Sequence, residues 1–266
     1  MPALDRVSLI RNEHARLSAE IGGLPDDVWP APSSCAGWTN ARLVAHLVFG
    51  AKLYRDSITR ALQGDSGPQD PTLSLVELRA GWAAYQDGLA EASPSERLAQ
   101  FVTSSDALMA VLESLQPTDL DRPAWHPIGV LTIGTFVAFR VYELALQGWD
   151  TRASLDPDAE LHAEVCPFLV ATARRLQPRF CHPDASVSGM CRFVVDEQTW
   201  TVRVGEGKIA EVAEGAASAP TLRTDASTWL LLVTQRRLLS DRQRRVHVEG
   251  DRDAAERVLT ATSFRV

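Results

Sequence analysis

From Thr39 to Ile58 the chain sets Leu43, His46, Leu47, Gly50, Tyr54 and Ile58 at spacings of three and four. That period is one face of an α-helix, and Thr39 supplies a hydroxyl suited to cap its start. The stripe has to be buried against other elements, and it carries an imidazole inward with it. Such a histidine is either a packed core residue or a ligand. A second stretch, Arg140 to Asp150, bears on the choice, because Glu143, Gln147 and Asp150 share one helical face at spacings of four and three. Two helices thus point polar groups into one bundle interior.

The remaining pattern extends this bundle. Residues 5–21 carry Ile10, Leu17 and Ile21 with His14 in register, and Gly22 and Gly23 stop the helix. The helix after Thr39 runs to about Leu62, before Gly64. Another spans 73–89 with Leu75, Leu78, Trp82, Tyr85 and Leu89 inward. Ser93-Pro94-Ser95-Glu96 reads as an N-cap, a first-turn proline and a capping-box glutamate, opening a helix that reaches Leu115 before Pro117. Residues 119–131 read as a loop folding over one end of the bundle, and 132–149 as the next helix. No strand pattern precedes residue 150, so a helical bundle is expected there.

After Asp150 the texture changes. Residues 156–176 read as helical, 186–195 and 199–204 as a hairpin turning at Asp196-Glu197, and 209–212, 221–224 and 245–248 as further strands. Helices over 226–232 and 251–261 lie among them. The expected architecture is α plus α+β, with domains at 1–152 and 156–266.

With 266 residues, 45% hydrophobic and 23% charged, the chain can bury a full core without staples. A net charge of −7 argues against a phosphate-tracking surface, so no nucleic acid is expected as partner. The basic run RRLLSDRQRR, Arg236 to Arg245, reads as a solvated loop, although some of its arginines suit a small anionic ligand. Cys35, Cys166, Cys181 and Cys191 show no paired spacing and read as free thiols in a reducing cytosol. No apolar run approaches the ~20 residues a membrane helix needs, and no signal segment is visible, so a soluble cytoplasmic protein is expected.

The GWTNARLVAHL stretch, the RVYELALQGWD stretch and a C-terminal VHVEGDRDAAERVL together resemble the mycothiol-dependent maleylpyruvate isomerase family. That resemblance implies a DinB-like four-helix bundle followed by a sterol-carrier-protein-like α+β domain. It also implies mycothiol, a cysteinyl pseudodisaccharide thiol, as cofactor or co-substrate. In the family a divalent, zinc-like metal is held by a histidine in the first motif and by a glutamate and a histidine four apart in the second. Carried across, these are His46, Glu143 and Gln147, and the glutamine is a departure: its neutral carbonyl is a weak ligand. Three readings follow: the metal is lost and the pocket works by hydrogen bonds, the metal persists on Gln147 or Asp150, or His14 supplies the missing nitrogen. An arginine of the second domain, matched here by Arg236 after Gln235, is implied to bind or activate substrate.

His46, Glu143 and Arg236 are thus the candidate catalytic residues, and Trp38, Arg140 and Trp149 the candidate cofactor contacts. Glu143 also has a plain structural reading, paired with Arg140 or with the Trp149 indole, and Asp150 one of bonding loop amides. His126 reads as a surface histidine or a loop residue over the pocket mouth, and Cys35 as a small buried thiol. The expected function is a mycothiol-dependent thiol transferase or exchange enzyme acting on a small electrophile, as monomer or homodimer. A maleylpyruvate-type cis-trans isomerase and a non-catalytic small-molecule or lipid binder are the alternatives, with a metal or redox sensor disfavoured by the scattered cysteines.

Overall fold

The computed structural model describes residues 3–213, 219–242 and 245–264. It divides into two compact units, Met1–Ala159 and Glu160–Val266. The bundle side of this division extends past Arg152 because the Trp149 indole donates to the Ala159 carbonyl (2.9 Å), tying the connecting segment to the last helix.

The first unit is built on five helices. In α1 (Ala3–Gly22), Val7, Ile10, Leu17 and Ile21 are buried. Helix α2 (Asn40–Leu62) starts where the Thr39 hydroxyl accepts from Arg42 N (3.1 Å), and every apolar member of the expected stripe is buried. Helix α3 (Leu75–Glu91) opens at Ser74, where the reciprocal capping box with Glu77 closes. Helix α4 (Pro94–Ser114) opens at Ser93, whose hydroxyl accepts from Glu96 N, with Pro94 in its first turn. Helix α5 (Ile133–Arg152) is capped by Thr132. Helices α3, α4 and α5 all pack on α2, and α1 packs on α4 and α5.

Two expectations for this unit are corrected. Residues 119–131 are not simply a loop: β1 (Pro123–His126) and β2 (Gly129–Thr132) form an antiparallel hairpin with Trp125 opposite Val130. Its turn is possible because Gly129 takes a φ of 122°, a conformation side chains rarely adopt. In α3 the buried residues are Leu78, Gln86 and Leu89, whereas Leu75 and Tyr85 are exposed. The inward face is therefore rotated from the expected one, and an amide occupies it.

The second unit carries α6 (Cys166–Phe180), β3 (Gly189–Val195), β4 (Gln198–Gly205), β5 (Lys208–Val212), β6 (Thr221–Thr224), α7 (Ala226–Val233), β7 (His247–Glu249) and α8 (Arg252–Ala261). The expected helix at 156 begins only at Cys166, with Pro167 in its first turn. The five strands run in the order β5-β4-β3-β6-β7, antiparallel except for β3 beside β6. The hairpin turns where expected, with Asp196 at φ 49°. Strand alternation buries Cys191, Phe193 and Val195 on one face of β3. Phe193, Trp200 and Trp229 pack ring against ring at 5.2 to 6.3 Å, and this aromatic cluster anchors the core. Among the described residues no helix is long and apolar enough to cross a membrane. Of the basic run, Gln243 and Arg244 lie outside the described residues.

Candidate active site

The polar centre lies between α2 and α5, and glycine lets the two helices share it. A Cβ built on Gly50 would lie 2.8 Å from Glu143 Oε1 and 3.1 Å from Oε2, closer than side-chain carbons approach. Without one, the carboxylate of α5 settles directly onto α2. One turn before Gly50, His46 Nε2 lies 3.4 Å from Glu143 Oε1. The two residues the sequence placed at distant positions therefore meet.

Both members of the pair are held from behind. Arg140, fully buried, donates to Glu143 Oε2 (2.8 Å), to the Leu47 carbonyl (3.2 Å) and to Ser105 Oγ (3.5 Å). His46 Nδ1 lies 3.2 Å from Gln86 Oε1 of α3. A side-chain amide can offer either its oxygen or its NH2 to the ring, so this contact is satisfied in either neutral tautomer. Trp38 packs its ring 4.8 Å from the imidazole, and the Arg42 guanidinium stands 5.9 Å over Trp38. The His46 side chain keeps 29% of its exposure against 13% for Glu143, so a ligand entering from solvent meets the imidazole first.

Burial opposes ionisation of Glu143 and is the largest influence on it. The Arg140 guanidinium and the His46 contact together outweigh burial and hold the carboxyl below its ordinary range. Tyr54, buried one turn beyond Gly50, is pushed well above 10 by burial and by the Glu143 charge. His126 is half-buried. It packs against Tyr54, Phe136 and Phe139 at 5.4 to 6.0 Å, its Nδ1 accepts from Ile128 N, and burial lowers its pKa while Glu143 pulls it back up.

Several candidate residues fall outside this cluster. The Trp149 indole is fully buried with its N–H on the Ala159 carbonyl, so it neither pairs with Glu143 nor offers that N–H to a cofactor. Arg140 positions Glu143 from inside the core, where a cofactor does not reach it. His14 is buried on α1 against the Phe101 ring (5.3 Å), with Asp106 3.9 Å from its Nδ1. Asp150 is fully buried near the end of α5. Arg236 belongs to the second unit, half-buried just after Gln235, which holds a left-handed φ of 57°. That is a conformation glycine adopts freely and a side chain rarely takes.

The donor set does not fit a zinc-type metal. His46 Nε2 and Glu143 Oε1 are two donors, but the second Glu143 oxygen is bonded to Arg140. The third position is Gln147, whose Oε1 is buried without a hydrogen-bond partner among the described residues. No three His, Cys, Asp or Glu side chains among the described residues group to hold a metal, so neither His14 nor Asp150 completes the set. Sequence reasoning missed Gln86, and the signal was there: it stands four residues after Trp82 and eight after Leu78, on the inward face of α3.

Residues 10–152 match the family model described as the mycothiol maleylpyruvate isomerase N-terminal domain, more than half of the chain. The chain belongs to that family. No curated protein matches it. Among solved structures it is similar to a mycothiol-dependent maleylpyruvate isomerase at 12% identity, with 94% of this chain and 93% of the other covered and a TM-score of 0.67. A histidine-to-alanine mutant of a mycothiol-dependent maleylpyruvate isomerase superposes with 12% identity, the same coverage and a TM-score of 0.66. At these identities the likeness shows the fold, which is therefore the α plus α+β arrangement expected. The match to a UbiJ-SCP2 ubiquinone synthesis protein covers 36% of the chain at a TM-score of 0.29, too low to argue for a sterol-carrier-like second domain.

Proposed function

We propose that this chain is a mycothiol-dependent enzyme in which His46, backed by Glu143, takes the proton of a bound thiol. The observation that carries the reading is the imidazole set between two oxygens, Gln86 Oε1 at 3.2 Å and Glu143 Oε1 at 3.4 Å. A proton taken up by this imidazole gives an imidazolium that the adjacent Glu143 carboxylate stabilises. A free thiol is only a few per cent ionised at neutral pH, so a base at this position supplies most of the nucleophile.

The thiolate adds to an electron-poor carbon of a small electrophile, forming a C–S bond as the electron pair moves onto the substrate. Return of the proton from His46 to the neighbouring carbon, which holds that electron pair, completes the transfer with the thiol left attached. Expulsion of the thiolate after bond rotation, with the proton returned to sulfur, completes a cis-trans isomerisation instead. Transfer or exchange is the reading from the altered ligand set at Gln147. Isomerisation is favoured by the full-length likeness to an isomerase.

The chain's own cysteines suit this division of labour. Burial pushes Cys181 up to about 11 and Cys191 up to about 12, which leaves them un-ionised and supports a thiol supplied from outside. Gln147 Oε1, buried without a partner one turn past Glu143, suits a hydroxyl or amide N–H donor of the bound thiol. Arg236 is proposed as an anion-binding group of the second unit. Cysteines without paired spacing and a small thiol co-substrate suit a reducing cytosol.

The test is mass spectrometry of the purified protein with mycothiol and a panel of unsaturated keto-acids and thiol conjugates. A mycothiol-dependent product, lost in His46→Ala, supports the reading. Absence of both product and mycothiol binding contradicts it.

A further inference from the structure

We propose that Trp38 is the platform on which the sugar portion of the thiol rests, and so the residue that selects mycothiol over a simpler thiol. The inference rests on the thiol-binding reading given above. Gln86 and Glu143 approach the imidazole from the interior, whereas the Trp38 ring lies 4.8 Å from it, tilted by 59°. Gln86 is buried and Glu143 is held by Arg140, so both belong to the closed side of the ring. Trp38 is half-buried. Its indole N–H has no hydrogen-bond partner among the described residues and, unlike those of Trp29, Trp200 and Trp229, it is not sealed from solvent. A thiol whose sulfur reaches the imidazole carries the rest of its bulk past this indole.

The chain around Trp38 holds that ring still. Its carbonyl accepts from Ser33 N (2.8 Å) and Ser33 Oγ (2.9 Å), and its N–H donates to the Cys35 carbonyl (3.1 Å). Gly37 makes the turn before it at a φ of 79°. Trp38, Arg42 and His46 follow at intervals of four, and the Arg42 guanidinium stands 5.9 Å over the indole. Arg42 is itself bonded to Asp87 and to the Ala83 carbonyl (3.3 Å), so it supports the ring from α2. An aromatic face fixed before binding loses little freedom when a ligand arrives. Its electron-rich face suits the C–H groups of a saturated sugar ring, and the unused N–H at its edge suits a hydroxyl oxygen. A pseudodisaccharide offers both groups, and a bare cysteinyl thiol offers neither.

The experiment titrates the full-length protein with mycothiol and with N-acetylcysteine, a cysteinyl thiol without the sugar. Calorimetry on the wild type, Trp38→Phe and Trp38→Ala gives the affinities, and thermal melting confirms that each variant is folded. Trp38→Ala should weaken mycothiol about 10-fold and leave N-acetylcysteine unchanged, while Trp38→Phe, which keeps a face but not the N–H, should fall between. Indole N–H resonances supply a readout on the wild type itself, the Trp38 signal being the one missing from Trp38→Phe. That signal should move when mycothiol binds and stay in place with N-acetylcysteine. Mycothiol bound without moving it, or equal weakening of both thiols in folded Trp38→Ala, overturns the assignment. A wild type that binds neither thiol removes the thiol-binding reading and this inference with it, a result distinct from those two.

Discussion

The interiors of the two units are made differently. Where α2, α3 and α5 meet, the first unit buries a guanidinium, a carboxylate, an amide and most of an imidazole, all hydrogen-bonded to one another or to the backbone. The centre of the second unit is Phe193, Trp200 and Trp229 packed ring to ring. An apolar centre holds a fold together at lower cost, since charges taken out of water regain their solvation only through well-formed partners. The polar centre of the bundle is therefore the place where the fold gives up stability, as the proposed site requires.

Substitutions at the two centres separate these roles. Glu143→Ala leaves Arg140 buried without its carboxylate and should destabilise the bundle by about 3–5 kcal/mol while abolishing thiol-dependent turnover, measured by denaturant unfolding and by product formation. Trp229→Ala opens a cavity in the aromatic cluster at a similar cost of about 3–5 kcal/mol, and the His46 nitrogen resonances should stay where they were. Gly50→Ala forces a Cβ against Glu143, so a loss of about 1–3 kcal/mol is expected, with the carboxylate displaced from His46 and turnover reduced. Thr39→Ala removes the α2 cap and should cost about 1 kcal/mol in unfolding experiments while turnover is kept.

The smallest effect is in acid. Burial is the largest influence on His14 and on His126 and holds both below the ordinary 6.5. The unfolded chain then takes up protons first, so stability present above 6.5 is lost as the pH falls from 6.5 through the lower folded-state values. Glu143 acts in a separate window: its folded pKa lies below 4.5, so its contribution is present above 4.5 and lost as the pH falls through that folded value. Melting curves across both windows should show two declines, with the upper one reduced in His14→Gln.

The elements that were legible in the sequence are those with strong local chemistry. Thr39 and Ser93 cap helices where their side chains suggested it, and the α2 stripe from Leu43 to Ile58 announces its buried face through spacing alone. The meeting of His46 with Glu143 was legible for the same reason, because each sits on an inward face. The β1–β2 hairpin was not: its strands are four residues long, begin with Pro123 and Gly129, and bury little beyond Ala124. The start of the helix at Cys166 was hidden because the segment before it carries acidic residues that read equally well as a first turn. Gln86 was passed over because an amide among Trp82, Tyr85 and Leu89 does not stand out by hydropathy. Its burial is a tertiary fact, set by where His46 lies on the facing helix. The aromatic surroundings of His126 are likewise contributed by α2 and α5, far away in the chain.

The central claim, that His46 draws the proton from a bound thiol, is tested most directly by ultraviolet difference spectroscopy of mycothiol bound to the wild-type chain and to His46→Ala at neutral pH. The account predicts a thiolate band on binding to the wild type and its loss in the variant while binding persists. A band of equal strength in both, or bound thiol without any thiolate in the wild type, would contradict it.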